Sequence, residues 1–95
     1  MDVVKISKAL ADPLRWTILK RIATKSDTCC DDQGLCVCQV VDELNLIQSK
    51  VSYHIKELKE AGLIREEIRG RWNFYYLKEE TFCEYLEQMR KELIP

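Results

Sequence analysis

Leu35–Ile64, LCVCQVVDELNLIQSKVSYHIKELKEAGLI, decides how the chain is read. Val37, Val40, Val41 and Leu44 recur at intervals of three and four, which predicts a helix from about Cys36 to Asn45. Leu46-Ile47-Gln48 reads as a turn. A second helix is predicted from Gln48 to about Ala61, burying Val51, Ile55 and Leu58, with Gly62 placed to cap its C-terminus. Once those three residues face inward, Gln48, Ser49, Ser52, Tyr53 and Lys56 are left on the outward face. Two cysteines, Cys36 and Cys38, open the first of the two helices.

On the N-terminal side, Val3, Ile6 and Leu10 give residues 2–11 one apolar stripe, with Lys5 and Lys8 on the other side. Asp12-Pro13 then supplies an N-cap residue followed by a residue suited to the first helical position. A helix is expected from there to about Thr24, burying Leu14, Ile18, Leu19 and Ile22. Trp16 reads as core or interface. KSDTCCDDQGL, residues 25–35, has no apolar period and reads as a loop. Beyond Gly62 the period shortens to two. Ile64, Glu66 and Ile68, then Trp72, Phe74 and Tyr76, alternate around Arg69-Gly70-Arg71, which predicts a β-hairpin with glycine at its turn. A last helix, from about Glu79 to Leu93, places Phe82, Tyr85, Leu86, Met89 and Leu93 on one side. So broad a face in a small protein calls for a partner. Val3, Ile6 and Leu10 of the first helix and Phe82, Tyr85, Leu86 and Met89 of the last are the expected dimer contacts.

Four helices, a hairpin and a fifth helix make a mainly α protein with a β-hairpin wing: a dimeric winged helix-turn-helix. Such a fold lays its second reading helix in the major groove of double-stranded DNA and brings the wing to the neighbouring backbone. Gln48, Ser49, Ser52 and Tyr53 suit base edges, and Lys50, Lys56 and Lys59 suit phosphates. Arg69 and Arg71 at the wing tip suit phosphate or minor groove. The chain of 95 residues is long enough for one domain, residues 1–95. Its net charge of −1 does not advertise a nucleic-acid partner, but the distribution does. Residues 26–47 carry five acids and no base, whereas residues 48–71 carry six bases against four acids. No stretch is apolar enough to span a membrane or serve as a signal core, so a cytoplasmic protein is expected. In a reducing compartment, four cysteines within ten residues (Cys29, Cys30, Cys36 and Cys38) point to metal or redox chemistry rather than structural bridges. There is no nucleophile–base pair, carboxylate pair or phosphate loop to support an enzyme.

KALADPLRWTILKRI (Lys8–Ile22), LCVCQVVDELNL (Leu35–Leu46), QSKVSYHIKELKEAGLI (Gln48–Ile64) and RGRWNFYYL (Arg69–Leu77) together resemble the ArsR/SmtB family of metal-sensing bacterial and archaeal repressors. The resemblance implies a homodimer that binds a palindromic operator when metal-free and releases it on binding an inducer. Within the family, Leu-Cys-Val-Cys marks sensors of arsenite, antimonite, cadmium or lead, which assigns Cys36 and Cys38 to the metal. Residues two apart on a regular helix point about 200° away from each other, so both sulfurs can hold one ion only if the first turn is irregular or becomes so. A helix N-terminus also favours the thiolate form that binds metal.

The chain departs from the family's patterns in two places. Val41 stands where some arsenite sensors carry a third cysteine, and Met1–Ile6 lacks the cysteines of the cadmium and lead sensors' N-terminal arm. Cys29 and Cys30 are expected to make up the ligand set. Three thiolates, from Cys36, Cys38 and one of Cys29 or Cys30, suit trivalent arsenic or antimony; all four would suit cadmium, lead or zinc. The family's other site, of His and carboxylates between C-terminal helices, has no matching ligands here. Cys83 reads as a buried small hydrophobe, and His54 as a packing or DNA-side residue. Two rival readings share the fold: a thiol redox switch using the same cysteines, and a structural zinc site that staples the loop.

Overall fold

The computed structural model describes residues 2–26, 35–70 and 72–95. The elements run α1 (Val3–Leu10), α2 (Pro13–Ser26), β1 (Leu35–Cys36), α3 (Val37–Leu44), α4 (Gln48–Glu60), β2 (Ile64–Arg69), β3 (Trp72–Leu77) and α5 (Glu79–Leu93). Short polar side chains and left-handed residues punctuate them. Asp2 caps α1 by accepting from the Lys5 N–H at 3.1 Å. Asp12 Oδ1 caps α2, accepting from the N–H groups of Leu14 and Arg15 at 2.9 and 3.0 Å, and Pro13 occupies the first helical position as expected.

Helices α3 and α4 both end on a left-handed residue. Asn45 adopts φ +54°, and the next N–H, of Leu46, reaches back to the Val41 carbonyl at 3.1 Å. Gly62 adopts φ +78°, with Gly62 N–H on Lys59 O and Leu63 N–H on Leu58 O, both at 3.0 Å. That six-to-one and five-to-two pair satisfies the last carbonyls of α4 and reverses the chain into β2. The first of these turns joins the two helices of the helix-turn-helix; the second joins the reading helix to the wing.

Ile18, Ile22, Val40, Val51, Leu58, Leu63 and Ile64 are fully enclosed, and Ile6, Leu19, Ile55, Tyr75 and Tyr85 complete the core around them. Helix α2 lies at its centre, in contact with α1, α4 and β3. Burial of the Val51, Ile55 and Leu58 stripe, as read from the sequence, fixes the rotation of α4 about its axis.

The wing is a sheet of three strands in the order β1-β3-β2, all antiparallel, rather than a two-stranded hairpin alone. Arg69 pairs with Trp72 across the turn, and Gly70 in the turn takes φ +62°. Leu35 pairs with Tyr75 and Cys36 with Phe74. This corrects the expected start of α3. Cys36 belongs to an extended strand on the wing, and the helix begins only at Val37. One further expectation fails on exposure: Cys83 is exposed on α5 rather than buried. Trp16, 47% exposed, is not core, which leaves the interface half of its expected role.

Candidate nucleic-acid interface and cysteine motif

Helix α4 starts without a side-chain cap. Ile47 stands at the N-cap position in extended conformation, 72% exposed, and only its carbonyl joins the helix. The first amides therefore face solvent at the positive end of the helix dipole, an arrangement that suits an anion. Gln48, Ser49, Lys50, Ser52 and Lys56 are all exposed, and Tyr53 is 53% exposed. Among the described residues, none covers that face.

His54, one residue on from Tyr53, is buried at 5% exposure. Its Nδ1 accepts from Arg15 Nε at 3.2 Å, and Arg15 Nη1 donates to the Ala9 carbonyl at 3.2 Å. Tyr53 closes the group: its ring meets His54 edge-on at 5.2 Å, and the Arg15 guanidinium lies 5.9 Å from its centroid. The reading helix is thus tied to α2 and to the end of α1 through one imidazole. Burial holds the His54 pKa below the ordinary histidine value, opposed by the Asp12 carboxylate and reinforced by Arg15 and Lys50. A neutral ring with an unprotonated Nδ1 is the form that accepts from Arg15. His54 is therefore a packing residue, the first of the two roles expected for it.

The wing carries a second network, centred on Glu66, which the sequence reading did not single out. Glu66 accepts from Tyr75 Oη at 2.7 Å, Asn73 Nδ2 at 3.2 Å and Lys59 Nζ at 3.3 Å. The Tyr75 hydroxyl is the main reason its pKa falls below the ordinary glutamate value, with Lys59 and Asn73 adding to it. Lys59, expected at a phosphate, bridges the end of α4 to β2 while its side chain stays 44% exposed. On the opposite face of the hairpin, Arg65 and Arg69 share Glu67, at 3.4 and 3.0 Å. Arg65 stacks 4.3 Å from the Tyr76 ring centroid and Arg69 5.1 Å from that of Phe74. Arg69 also donates to Tyr76 Oη. Arginine alternating with aromatic rings across two paired strands holds the guanidinium groups extended along the wing. Arg65, absent from the expected contacts, belongs with Arg69; period-two spacing alone would have found it. Arg71 lies outside the described residues.

Of the cysteine set, Cys36 and Cys38 fall on either side of the β1–α3 junction, while Cys29 and Cys30 lie outside the described residues. Cys36 stands in β1 and Cys38 in α3, so the two do not share one regular helical turn. Of the expected dimer contacts, Ile6 and Tyr85 are enclosed by the chain's own core, and Tyr85 Oη bonds Ser7 Oγ at 2.7 Å. Val3, Leu10, Phe82 and Met89 are partly buried, and Leu86 is 64% exposed. Val4, Leu93 and Ile94 are open as well.

The family model described as "Bacterial regulatory protein, arsR family" matches residues 12–66, the span from the α2 cap into the wing. The chain is 36% identical over 83 residues to an HTH-type transcriptional regulator of Methanocaldococcus jannaschii, covering 87% of this chain and 85% of that protein. It is 38% identical over 73 residues to the arsenical resistance operon repressor of Bacillus subtilis, covering 77% of this chain but only 63% of that protein's length. Among solved structures, a homodimeric winged helix-turn-helix DNA-binding domain from Mycobacterium bovis superposes with a TM-score of 0.70 at 22% identity, covering 98% of this chain and 82% of that one. The chain belongs to the arsR family: it is a winged helix-turn-helix transcriptional regulator and not an enzyme.

Proposed function

We propose that the protein is a metalloid-responsive repressor that holds operator DNA as a homodimer and releases it when its cysteines bind arsenite or antimonite. Gln48, Ser49, Ser52 and Tyr53 read base edges in the major groove, while Lys50 and Lys56 meet phosphates beside them. Arg69 and Arg71 take the wing to the adjoining backbone, and Lys59 divides its charge between that backbone and Glu66. The second copy packs against α1 and α5, where Leu86, Val4, Leu93 and Ile94 are the apolar side chains that the single chain leaves open.

One observation carries the link between metal and DNA. Cys36 and Cys38 flank a junction tied on one side to wing strand β3, through Leu35–Tyr75 and Cys36–Phe74, and continuing on the other into α3. Helix α3 in turn supports the reading helix α4. Drawing both sulfurs onto one ion pulls an extended residue and a helical residue together. The strain falls on the wing and on the helix-turn-helix at once. Release requires the ion to favour that strained arrangement over the DNA-bound one. Three thiolates, with Cys29 or Cys30 as the third, complete a site for trivalent arsenic; both together would make a site for cadmium, lead or zinc. The name of the Bacillus relative, an arsenical resistance operon repressor, supports the metalloid assignment.

The test is a pair of single variants, Cys36→Ser and Cys38→Ser. Each is expected to bind promoter DNA as the reduced wild type does and to remain bound when arsenite is added. Loss of DNA binding by both metal-free variants would overturn the sensor assignment.

A further inference from the structure

The face of α4 that Ser49, Ser52 and Lys56 occupy has two flanks. Lys59 marks one, where it meets Glu66 of the wing. Tyr53 marks the other, six residues away and so about 120° around the helix. Beside Tyr53 lies a cleft of about 280 Å³ between α4 and α1, lined by Lys5, Lys8, Arg15, Tyr53 and Glu57. Three cations face one carboxylate there. Lys5 and Lys8 are exposed and form no ion pair with a described residue. Arg15 spends two N–H groups inward, on His54 and Ala9, of the five a guanidinium offers.

A helix in the major groove, about 12 Å wide, has a phosphate backbone on each side. The wing arginines supply cations to one side only. We infer that the α1–α4 cleft binds a backbone phosphate of the strand opposite the wing, with Lys8 and Arg15 as its principal cations and Lys5 assisting. Lys5 ranks lower because its other side borders a second depression that includes Asp2, Glu60 and Glu84. Tyr53 lines the cleft and is 53% exposed, so its hydroxyl can donate to the same phosphate. Helix α1 thereby joins the DNA-binding surface, and the reading helix is clamped from both flanks.

This inference rests on the DNA-binding reading above, and the experiment separates the two. Binding of the wild type and of the double variant Lys5→Gln/Lys8→Gln to fluorescent promoter DNA is followed by anisotropy across a series of KCl concentrations. Lys91→Gln, on α5 and outside the cleft, is the control. Each lost phosphate contact flattens the plot of log Kobs against log salt by about 0.9. The double variant is expected to flatten it by between about 1 and 2, weakening promoter and scrambled DNA alike, while Lys91→Gln leaves it unchanged. An unchanged slope in a double variant that still binds DNA would overturn the cleft assignment and leave the DNA-binding reading intact. So would weaker binding accompanied by a changed sedimentation mass but no change in slope, since the lysines would then act through assembly. Failure of the wild type to bind its promoter would remove both readings.

Discussion

Replacing Glu66 with alanine tests whether the wing is held to the reading helix by one carboxylate. The side chain is 20% exposed and accepts from three donors, at 2.7 Å from Tyr75, 3.2 Å from Asn73 and 3.3 Å from Lys59. A charge-assisted bond of the Tyr75 kind contributes about 1.5–3 kcal/mol. The Lys59 pair, 44% exposed on the lysine side, adds about 0.2–1 kcal/mol. Allowing for solvent replacing part of this, Glu66→Ala is expected to cost about 2–3 kcal/mol. Glu66→Gln keeps an acceptor for Tyr75 without the charge and should cost about 1 kcal/mol. Urea unfolding reads both, with wild type and variants compared at one protein concentration so that the proposed dimerisation shifts all midpoints alike. The same carboxylate gives a pH signature. Its folded pKa is lowered, chiefly by the Tyr75 hydroxyl, so its contribution is present above the unfolded glutamate value of about 4.3 and is lost as pH falls through the folded value. The gap between wild type and Glu66→Gln should therefore close on acidification below about pH 4. A Glu66→Ala midpoint within about 0.5 kcal/mol of wild type, the size of an ordinary surface change, would refute the reasoning.

Three further outcomes follow from the same structure. His54 is the chain's only histidine, and burial lowers its pKa. Its contribution is therefore fully present above the unfolded value of about 6.5 and falls as pH drops below it. Urea midpoints of the wild type should decline between pH 7.5 and 5.5 while those of His54→Gln stay flatter, and equal slopes would remove imidazole burial as the cause. Gly62→Ala meets no atom within 4 Å but must hold φ +78°, so it should cost about 1 kcal/mol in thermal or urea unfolding; a neutral result would show that the cap relaxes. Cys83→Ser, at an exposed site on α5, should leave both DNA affinity and arsenite release unchanged in an anisotropy assay.

Much of this architecture is local and hence legible in the sequence. Asp12-Pro13 and Gly62 mark helix ends by their own backbone chemistry, and the Val51, Ile55 and Leu58 spacing orients α4 without reference to the rest of the chain. The pairing of Leu35 and Cys36 with β3 was not legible. Two residues carry no period, and their strand exists only because it pairs with Phe74 and Tyr75 of β3, some forty positions on. The partner of Lys59 is not legible either, since Glu66 comes beside it only once the chain reverses after α4. Arg69 and Glu67, two apart on β2, share a face by the strand period alone. Residue type alone puts Cys83 inside, yet it sits where α5 turns outward; Trp16, at 47% exposure, keeps only the interface alternative. Arg15 carries no motif of its own; its part in seating His54 comes from contact between α2 and α4.

The central claim, that a thiophilic ion at the cysteines releases DNA, is tested most directly by one titration. The reduced protein is bound to fluorescent DNA from its own promoter, and anisotropy is followed as arsenite, and separately cadmium, is added. Release at about one equivalent of arsenite per subunit is the expected result, as three thiolates close on one trivalent ion. Retention of DNA through every thiophilic ion, with release only on mild oxidation, would contradict it and assign the cysteines to redox sensing.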